Sequence, residues 1–164
     1  MCAYQIILYN WDIMTVRFEF IFDQTFPSDI NLRKKNIDLI INKINESGKT
    51  TNISMQELYL IIDESITNAM EHGNRWNPEK KVHVQVRADE ENLIIRIADE
   101  GKGFNVANIF KRHKKRNILS IRGRGIYIIN QFCCINWNKN GNEAELKIKL
   151  ISDQKKPQVP ADTA

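Results

Sequence analysis

The strongest constraint on the fold is that strand-like segments occur in pairs separated by whole helices. Residues 81–88 alternate apolar and polar side chains and are followed, across a short polar turn, by the apolar segment 93–98. Residues 135–138 and 146–151 form a similar pair across an Asn-Gly turn. Such pairs are typical of β-hairpins. We therefore predict a two-layer α/β (α+β) sandwich with helices on one face of a mostly antiparallel sheet, rather than a doubly wound parallel fold.

A further strand is predicted near the start of the chain. From Thr15 to Asp23 apolar and polar residues alternate, and this period of two predicts that Phe18, Phe20 and Phe22 share one face. The residues before Met14 show no clear period. We expect residues 1–13 to be an N-terminal extension, 14–151 to be the domain and 152–164, which contain two prolines, to be a flexible tail.

Three helices are predicted, and in the first of them isoleucines recur at a period near 3.6. The first covers about 29–47 and begins after Ser28, a residue suited to capping a helix. The second runs from Ser54 to Gly73, and the spacing of Ser54 and Glu57 is that of a capping box. The third is short and covers 125–132.

Charge is concentrated in one segment. The 164-residue chain has a net charge of +4, yet residues 111–124 alone carry seven lysines and arginines and no acid. This segment is either a solvated loop or a nucleic-acid patch, but it lacks the interleaved aromatic residues of a single-strand stacking platform. No apolar run reaches the roughly 18 to 20 residues of a membrane span, so we expect a cytoplasmic protein that does not bind membranes.

Three groups of residues could carry chemistry. Glu64, Asn68 and His72 are spaced four apart, so they form a polar stripe on one face of the second helix. Alone, this stripe would more often be a solvated helix face. Asp99 follows a strand and precedes two glycines, Gly101 and Gly103, which allow a ligand to approach the main chain closely.

The third group opens the last helix. Free amides at a helix start, together with arginine side chains, favour phosphate. The residues concerned are Arg122, Gly123, Arg124 and Gly125.

The order of these groups is more specific than any one of them. Residues 63–73, Asp-Glu-Ser-Ile-Thr-Asn-Ala-Met-Glu-His-Gly, resemble the N box of the GHKL ATPase superfamily, and in particular its bacterial anti-sigma serine kinase branch. Residues 99–103 resemble the first glycine box of that superfamily and residues 123–125 its second. The resemblance covers about 15–151. It implies a Bergerat-type histidine kinase-like ATPase fold that binds ATP and Mg²⁺.

The resemblance also implies roles for individual residues. Glu64 would be the general base, Asn68 would coordinate Mg²⁺ through its side-chain oxygen, and Asp99 would hold the adenine amine. Glycines would shape the nucleotide pocket and its lid. The full set of implied nucleotide-binding residues is Asn68, His72, Asp99, Gly101, Gly103, Arg122, Gly123, Arg124 and Gly125. In one departure, Glu143 and Ala144 stand where many relatives carry Gly-Thr.

The function implied by the resemblance is that of an anti-sigma factor with serine/threonine protein kinase activity. Such a protein phosphorylates an anti-anti-sigma (STAS-domain) partner and sequesters a sigma factor, and relatives often form homodimers through the sheet. A non-catalytic, nucleotide-dependent interaction module is the main alternative. A histidine kinase fragment and a nucleic-acid binder are further alternatives, although we expect no direct nucleic-acid partner.

Overall fold

The computed structural model describes residues 3–7, 14–106 and 124–151, and the strands within these ranges form one sheet. They are β1 (Ala3–Ile7), β2 (Met14–Pro27), β3 (Lys81–Ala88), β4 (Asn92–Asp99), β5 (Cys134–Trp137) and β6 (Glu143–Lys149). Their order is β1-β2-β3-β4-β6-β5, and every neighbouring pair is antiparallel. The predicted sheet is confirmed, and β1 is an element that the aperiodic start of the sequence did not predict.

The predicted helices are present as α1 (Ile30–Glu46), α2 (Met55–Asn68) and α3 (Arg124–Phe132). The capping box at the start of α2 is also confirmed. Ser54 Oγ accepts from the Glu57 amide at 3.2 Å, and Glu57 Oε2 accepts from the Ser54 amide at 2.7 Å. After Asn68 the helix widens into a π-helical turn, Ala69–Gly73, so it reaches Gly73 as predicted.

The core lies between the helices and one face of the sheet. Isoleucines dominate the buried faces of α1 and α2, and valines and isoleucines dominate the facing strands. Its fully buried members include Ile37, Ile40, Ile44, Leu58, Ile61, Ile62, Ile66, Val82, Val84, Val86, Leu93 and Ile95. On the opposite face the strands carry charged side chains, among which Glu145 accepts from Arg96 Nε at 2.7 Å. This arrangement confirms the two-layer sandwich.

The predicted shared face of the three phenylalanines in β2 is wrong. Phe20 and Phe22 pair with consecutive residues of β3, so a β-bulge reverses the alternation between them. Phe22 therefore belongs to the core, whereas Phe18 lies outside the core cluster, with the Arg87 guanidinium 4.3 Å from its ring centre. Phe20 is 43% exposed. A bulge of one residue leaves no mark in a simple apolar alternation.

Candidate functional site

A cavity of about 440 Å³ lies between α2, the end of β4, α3 and the turn between β5 and β6. This volume is within the usual range for a small-molecule site. Both polar and apolar residues line the cavity: Ser65, Asn68, Ala69, His72, Gly73, Ile97, Asp99, Gly103, Phe104, Asn105, Ile126, Ile129, Ile135, Trp137, Gly141, Asn142, Glu143 and Ala144. Two of the three predicted groups therefore meet at one cavity. The helix α2 and its π-helical end bring Asn68 and His72, and the end of β4 brings Asp99 and Gly103.

The π-helical turn at the end of α2 shapes one wall of the cavity. The Asn74 amide donates to the Ala69 carbonyl at 2.9 Å. This hydrogen bond joins residues five apart, whereas the bonds of an α-helix join residues four apart. Single π-helical turns inside α-helices are frequent at functional sites. Here the turn brings His72 and Gly73 to the cavity wall and sets the Gly73 backbone against the carboxylate of Asp99. A side chain at position 73 would overlap that carboxylate.

Asp99 ends β4 in a half-buried position beside the cavity. Its Oδ1 accepts from the Gly101 amide at 2.7 Å. Burial raises the pKa of Asp99 above its ordinary value, and the Gly101 hydrogen bond and the charge of Lys80 oppose this increase. An ionised Asp99 retains acceptor capacity beyond the Gly101 bond, and an amino group on a ligand could use it.

The opposite end of the site contains Glu64 and Asn68 from α2 and Gly125 from α3. A Cβ built on Gly125 would lie 2.5 Å from Glu64 Oε2 and 3.3 Å from Asn68 Nδ2, so a side chain at position 125 would displace the end of the Glu64 side chain. Glu64 does not line the cavity wall itself. It lies next to Asn68 at the point where α2 and α3 meet.

The surroundings of Glu64 favour a carboxylate that can accept a proton. Burial is the largest cause of a raised Glu64 pKa, and the neighbouring charge of Asp63 raises it further. The guanidinium of Arg33 on α1 opposes this increase. Arg33 pairs with Asp63 and also donates to Thr67 Oγ1 at 2.9 Å. A carboxylate whose pKa is raised towards neutral pH is better suited to general-base catalysis than a fully solvated one.

Two glycines interlock at the end of the cavity near Asp99. Gly103 and Gly141 have φ angles of +65° and +74°, the left-handed region that favours glycine. A side chain on Gly103 would overlap the Asn140 carbonyl, and one on Gly141 would overlap the Phe104 carbonyl. The Phe104 amide donates to that same Asn140 carbonyl at 3.1 Å. The β5–β6 turn therefore fixes the loop that follows Asp99.

Most of the predicted site residues meet at this cavity. Asn68, His72, Asp99 and Gly103 line it, and Gly101 packs between Asp99 and the Gly73 carbonyl. Glu64 and Gly125 adjoin it. Arg122 and Gly123 lie outside the described residues, and only the backbone of Arg124 is described. The nucleotide-binding roles of these residues stay predictions.

Several residues of the site were not predicted. Phe104 and Trp137 pack edge to face in its wall, with ring centres 6.0 Å apart. Gly141 and Asn142 reach the wall from a turn that the sequence identified only as a hairpin turn. Asn74 supports the wall from behind. The one sequence feature that could have pointed to Asn74 is its position directly after His72 and Gly73.

A family model described as "Histidine kinase-like ATPase domain" matches residues 27–147, which contain every described residue of the site. The chain belongs to this family. Among the histidine kinase-like ATPases, the sensor protein VraS of Staphylococcus epidermidis is 29% identical over 125 residues, covering 76% of this chain and 34% of that protein.

A second relative has the same identity to the chain and a similar coverage. The sensor protein VraS of Staphylococcus aureus is 29% identical over 121 residues, covering 74% of this chain and 33% of the relative. The chain thus spans about a third of the length of these curated relatives. ATP is the ligand of histidine kinase-like ATPase domains. The finer assignment to the anti-sigma branch stays a prediction.

The described residues bear on two of the possible partners, a metal ion and a membrane. No group of three or more His, Cys, Asp or Glu side chains among them is arranged to hold a metal ion. None of the helices in these ranges combines the length and apolar character that crossing a bilayer requires. The basic segment 111–124, which prompted the nucleic-acid alternative, lies outside the described residues apart from the backbone of its last residue.

Proposed function

We propose that this histidine kinase-like ATPase is an anti-sigma regulatory factor with serine/threonine protein kinase activity. It transfers the terminal phosphoryl group of ATP to a hydroxyl of an anti-anti-sigma (STAS-domain) partner, and in its other state it sequesters a sigma factor. The observation that carries the proposal is Glu64. A carboxylate with a raised pKa lies one helical turn from Asn68, where α2 meets the start of α3. A hydroxyl acceptor must lose its proton during transfer, and Glu64 is the group that would take it.

The residues present fit a magnesium nucleotide. The side-chain amide of Asn68 makes no hydrogen bond within the described part of the chain, so its oxygen is available to a cation. Mg²⁺ is commonly bound by one or two protein oxygens together with waters and substrate phosphates, which agrees with the lack of a three-acid cluster in the described ranges. When bound, Mg²⁺ neutralises charge on the phosphates.

The other residues orient the nucleotide. Asp99 accepts a hydrogen bond from the adenine amine at the opposite end of the cavity, and Gly101 and Gly103 let the base approach the main chain. Apolar side chains of Ile97 and Ile129 also line the cavity. The adenine amine and the terminal phosphate are thereby held at opposite ends of one cavity. Phosphoryl transfer depends mainly on such positioning and on neutralisation of charge.

Kinase activity is tested by incubating the chain with labelled ATP, Mg²⁺ and each STAS-domain protein encoded in the same genome. We expect label on a serine or threonine of one partner, and no label with Glu64→Gln. Normal ATP binding by Glu64→Gln is the matched control, since it separates loss of chemistry from loss of folding. Absence of label on every STAS-domain protein would contradict the proposal.

A second candidate is favoured by the similarity to sensor proteins. In this case the chain is an ATP-binding domain that serves phosphorylation of a histidine. A neutral imidazole already has a nitrogen lone pair, so transfer to histidine depends less on a base. Label that is lost in acid, lies on histidine and survives Glu64→Gln would favour this candidate.

The non-catalytic interaction module makes a different prediction. Nucleotide would then only stabilise a binding surface, and a sigma factor or another regulator would bind without phosphorylation. Normal partner binding by Asn68→Ala, measured with ATP and Mg²⁺, would favour the module over the kinase. A homodimer, a cytoplasmic location and the absence of direct nucleic-acid and membrane partners remain part of the proposal. Sedimentation of the full chain tests the homodimer.

A further inference from the structure

Asn74 joins three separate segments behind the wall of the cavity. Its side chain is buried, with the residue only 1% exposed. Nδ2 donates to Ser28 Oγ at 2.7 Å and to the Lys81 carbonyl at 2.8 Å, and Oδ1 accepts from the Glu100 amide at 2.9 Å. Buried amide side chains with this many partners fix the relative positions of the groups they join.

Ser28 is committed to this network rather than to α1. The sequence predicts Ser28 as the cap of the first helix, but Asp29 takes that role and accepts from the Asn31 amide at 2.8 Å. Ser28 is fully buried, and its own amide donates to the Lys80 carbonyl at 2.9 Å. Its hydroxyl is therefore available to Asn74, and the end of β2 is tied to the start of β3.

The backbone directly after Asn74 is strained. Arg75 and Trp76 have φ angles of +58° and +55°, the left-handed region that residues other than glycine rarely adopt. Such strain persists only where the surroundings hold it, and it is concentrated at functional sites. Here the Trp76 amide is held by the Met70 carbonyl at 2.7 Å and Asn74 is held by its side chain. The strained connection is thus fixed at its start.

The third partner of Asn74 leads to Asp99. The Glu100 amide belongs to the peptide that follows Asp99, so the bond from Glu100 to Asn74 Oδ1 sets the orientation of that peptide. Gly73, the residue before Asn74, packs against the Asp99 carboxylate. Asn74 therefore holds Asp99 from two directions, through the peptide that follows it and through the glycine that contacts its carboxylate.

We infer that Asn74 is a positioning residue that aims the Asp99 carboxylate at the amino group of the base. This inference rests on the proposed function, in which Asp99 binds the adenine amine. Asn74 itself lies behind the wall and acts through Glu100 and Gly73. Its loss should weaken recognition of the amino group, and it should leave binding of the ribose and phosphates unchanged.

The test compares two nucleotides with the full chain in Mg²⁺. ATP and purine riboside triphosphate differ by the 6-amino group alone, so the ratio of their affinities reports the Asp99 contact. A hydrogen bond to a charged group predicts that the wild type prefers ATP by about tenfold or more. In Asn74→Ala we expect this ratio to fall towards one, while the affinity for purine riboside triphosphate stays constant.

Asn74→Asp separates positioning from mere stability. Both substitutions remove the amide donor to Ser28 and Lys81, but aspartate keeps an oxygen that can accept from Glu100. We expect Asn74→Asp to keep the preference for ATP even where its thermal stability falls as far as that of Asn74→Ala. Ser28→Ala is the milder control, and it should lower stability and leave the preference intact. If the preference instead follows stability across the three variants, Asn74 is only structural and the inference fails.

Two further outcomes are distinguishable. A wild type that binds both nucleotides equally overturns the proposed role of Asp99 and the inference with it. A wild type that prefers ATP, together with an Asn74→Ala protein that keeps the preference, overturns the inference alone. Should Asn74→Ala fail to fold, amide hydrogen exchange of Glu100 in the wild type provides the test. A protected Glu100 amide supports the network, and an amide that exchanges as fast as one on an exposed loop contradicts it.

Discussion

The two ends of the cavity are built differently. At the end near Asp99, backbone and side-chain groups are hydrogen-bonded to one another: the Asp99 amide donates to the Asn142 carbonyl at 2.9 Å, and Asn142 Nδ2 donates to the Asp99 carbonyl at 3.1 Å. At the other end, the side chains of Glu64 and Asn68 make no hydrogen bond within the described part of the chain. Gly125 of α3 lies close to both side chains.

This difference matches what each end is proposed to do. An adenine ring is rigid and always presents the same groups, so a preorganised site recognises it at little entropic cost. The phosphate end must admit Mg²⁺, phosphates and the hydroxyl of a partner protein. Unpaired side chains at that end can exchange water for these ligands without first breaking bonds within the protein. We infer that specificity for the nucleotide lies at the Asp99 end and chemistry at the Glu64 end.

The largest expected effect is at the chemical end. Glu64→Gln removes the proton acceptor, and general-base catalysis typically contributes about 10²- to 10⁴-fold in rate. We expect phosphoryl transfer to the partner to fall by that factor while the affinity for ATP is unchanged. Single-turnover transfer and calorimetric binding measure the two quantities separately. Glu71→Gln, which alters an exposed carboxylate on the following turn, is the matched control. If Glu64→Gln lowers the affinity for ATP as much as it lowers the transfer rate, Glu64 does not act in chemistry alone and the proposed difference between the two ends is wrong.

The next largest effect is on recognition of the base. Asp99→Asn replaces one acceptor oxygen with a donor, which opposes the donor on adenine. We expect the affinity for ATP to fall about 10- to 100-fold, the range for loss of a hydrogen bond to a charged group. The affinity for purine riboside triphosphate should change little. If Asp99→Asn weakens both nucleotides equally, Asp99 does not read the amino group.

A pair of glycine substitutions compares the two ends directly. Gly103→Ala would overlap the Asn140 backbone at a φ of +65°, so we expect a stability loss of about 1–3 kcal/mol. Gly125→Ala meets the far end of the Glu64 side chain, which can move. We expect Gly125→Ala to keep nearly full stability and to slow transfer by displacing Glu64. Chemical denaturation measures the stability of each variant, and single-turnover assays measure its rate of phosphoryl transfer. A stability loss in Gly125→Ala together with full stability in Gly103→Ala would contradict the comparison.

The smallest expected effect is the pH dependence of stability in the nucleotide-free protein. Burial raises the folded-state pKa of Asp99 above its ordinary value of 3.8, so ionised Asp99 destabilises the fold. This cost is absent below the unfolded-state pKa and grows as the pH rises through the folded-state pKa. Asp99→Asn, which cannot ionise, should therefore gain stability relative to wild type as the pH rises. Chemical denaturation at several pH values measures the stability difference between Asp99→Asn and wild type. A stability advantage of Asp99→Asn that shrinks with rising pH would contradict the burial of the Asp99 charge.

The sequence predicted those features that depend on residues close together in the chain. The capping box of α2 needs only Ser54 and Glu57, and β3 has the predicted bounds because its valines alternate without interruption. The polar stripe of α2 follows from helical spacing, so Asn68 and His72 were predicted to lie together.

Features that depend on distant segments were not predicted. The bulge in β2 reflects its register with β3, and Ser28 serves Asn74, which is 46 residues away. The interlock between Gly103 and Gly141 joins two turns that no local pattern connects. The phosphate-binding arginines Arg122 and Arg124 stay predictions, since their side chains lie outside the described residues.

Calorimetric titration of ATP into the full chain, with and without Mg²⁺, tests the central claim most directly. The claim is that Asn68 and Asp99 bind opposite ends of one magnesium nucleotide. We predict saturable binding by the wild type that Mg²⁺ strengthens, a weaker response to Mg²⁺ in Asn68→Ala, and lower affinity with or without Mg²⁺ in Asp99→Asn. Folded wild-type protein that takes up neither ATP nor ADP would contradict it.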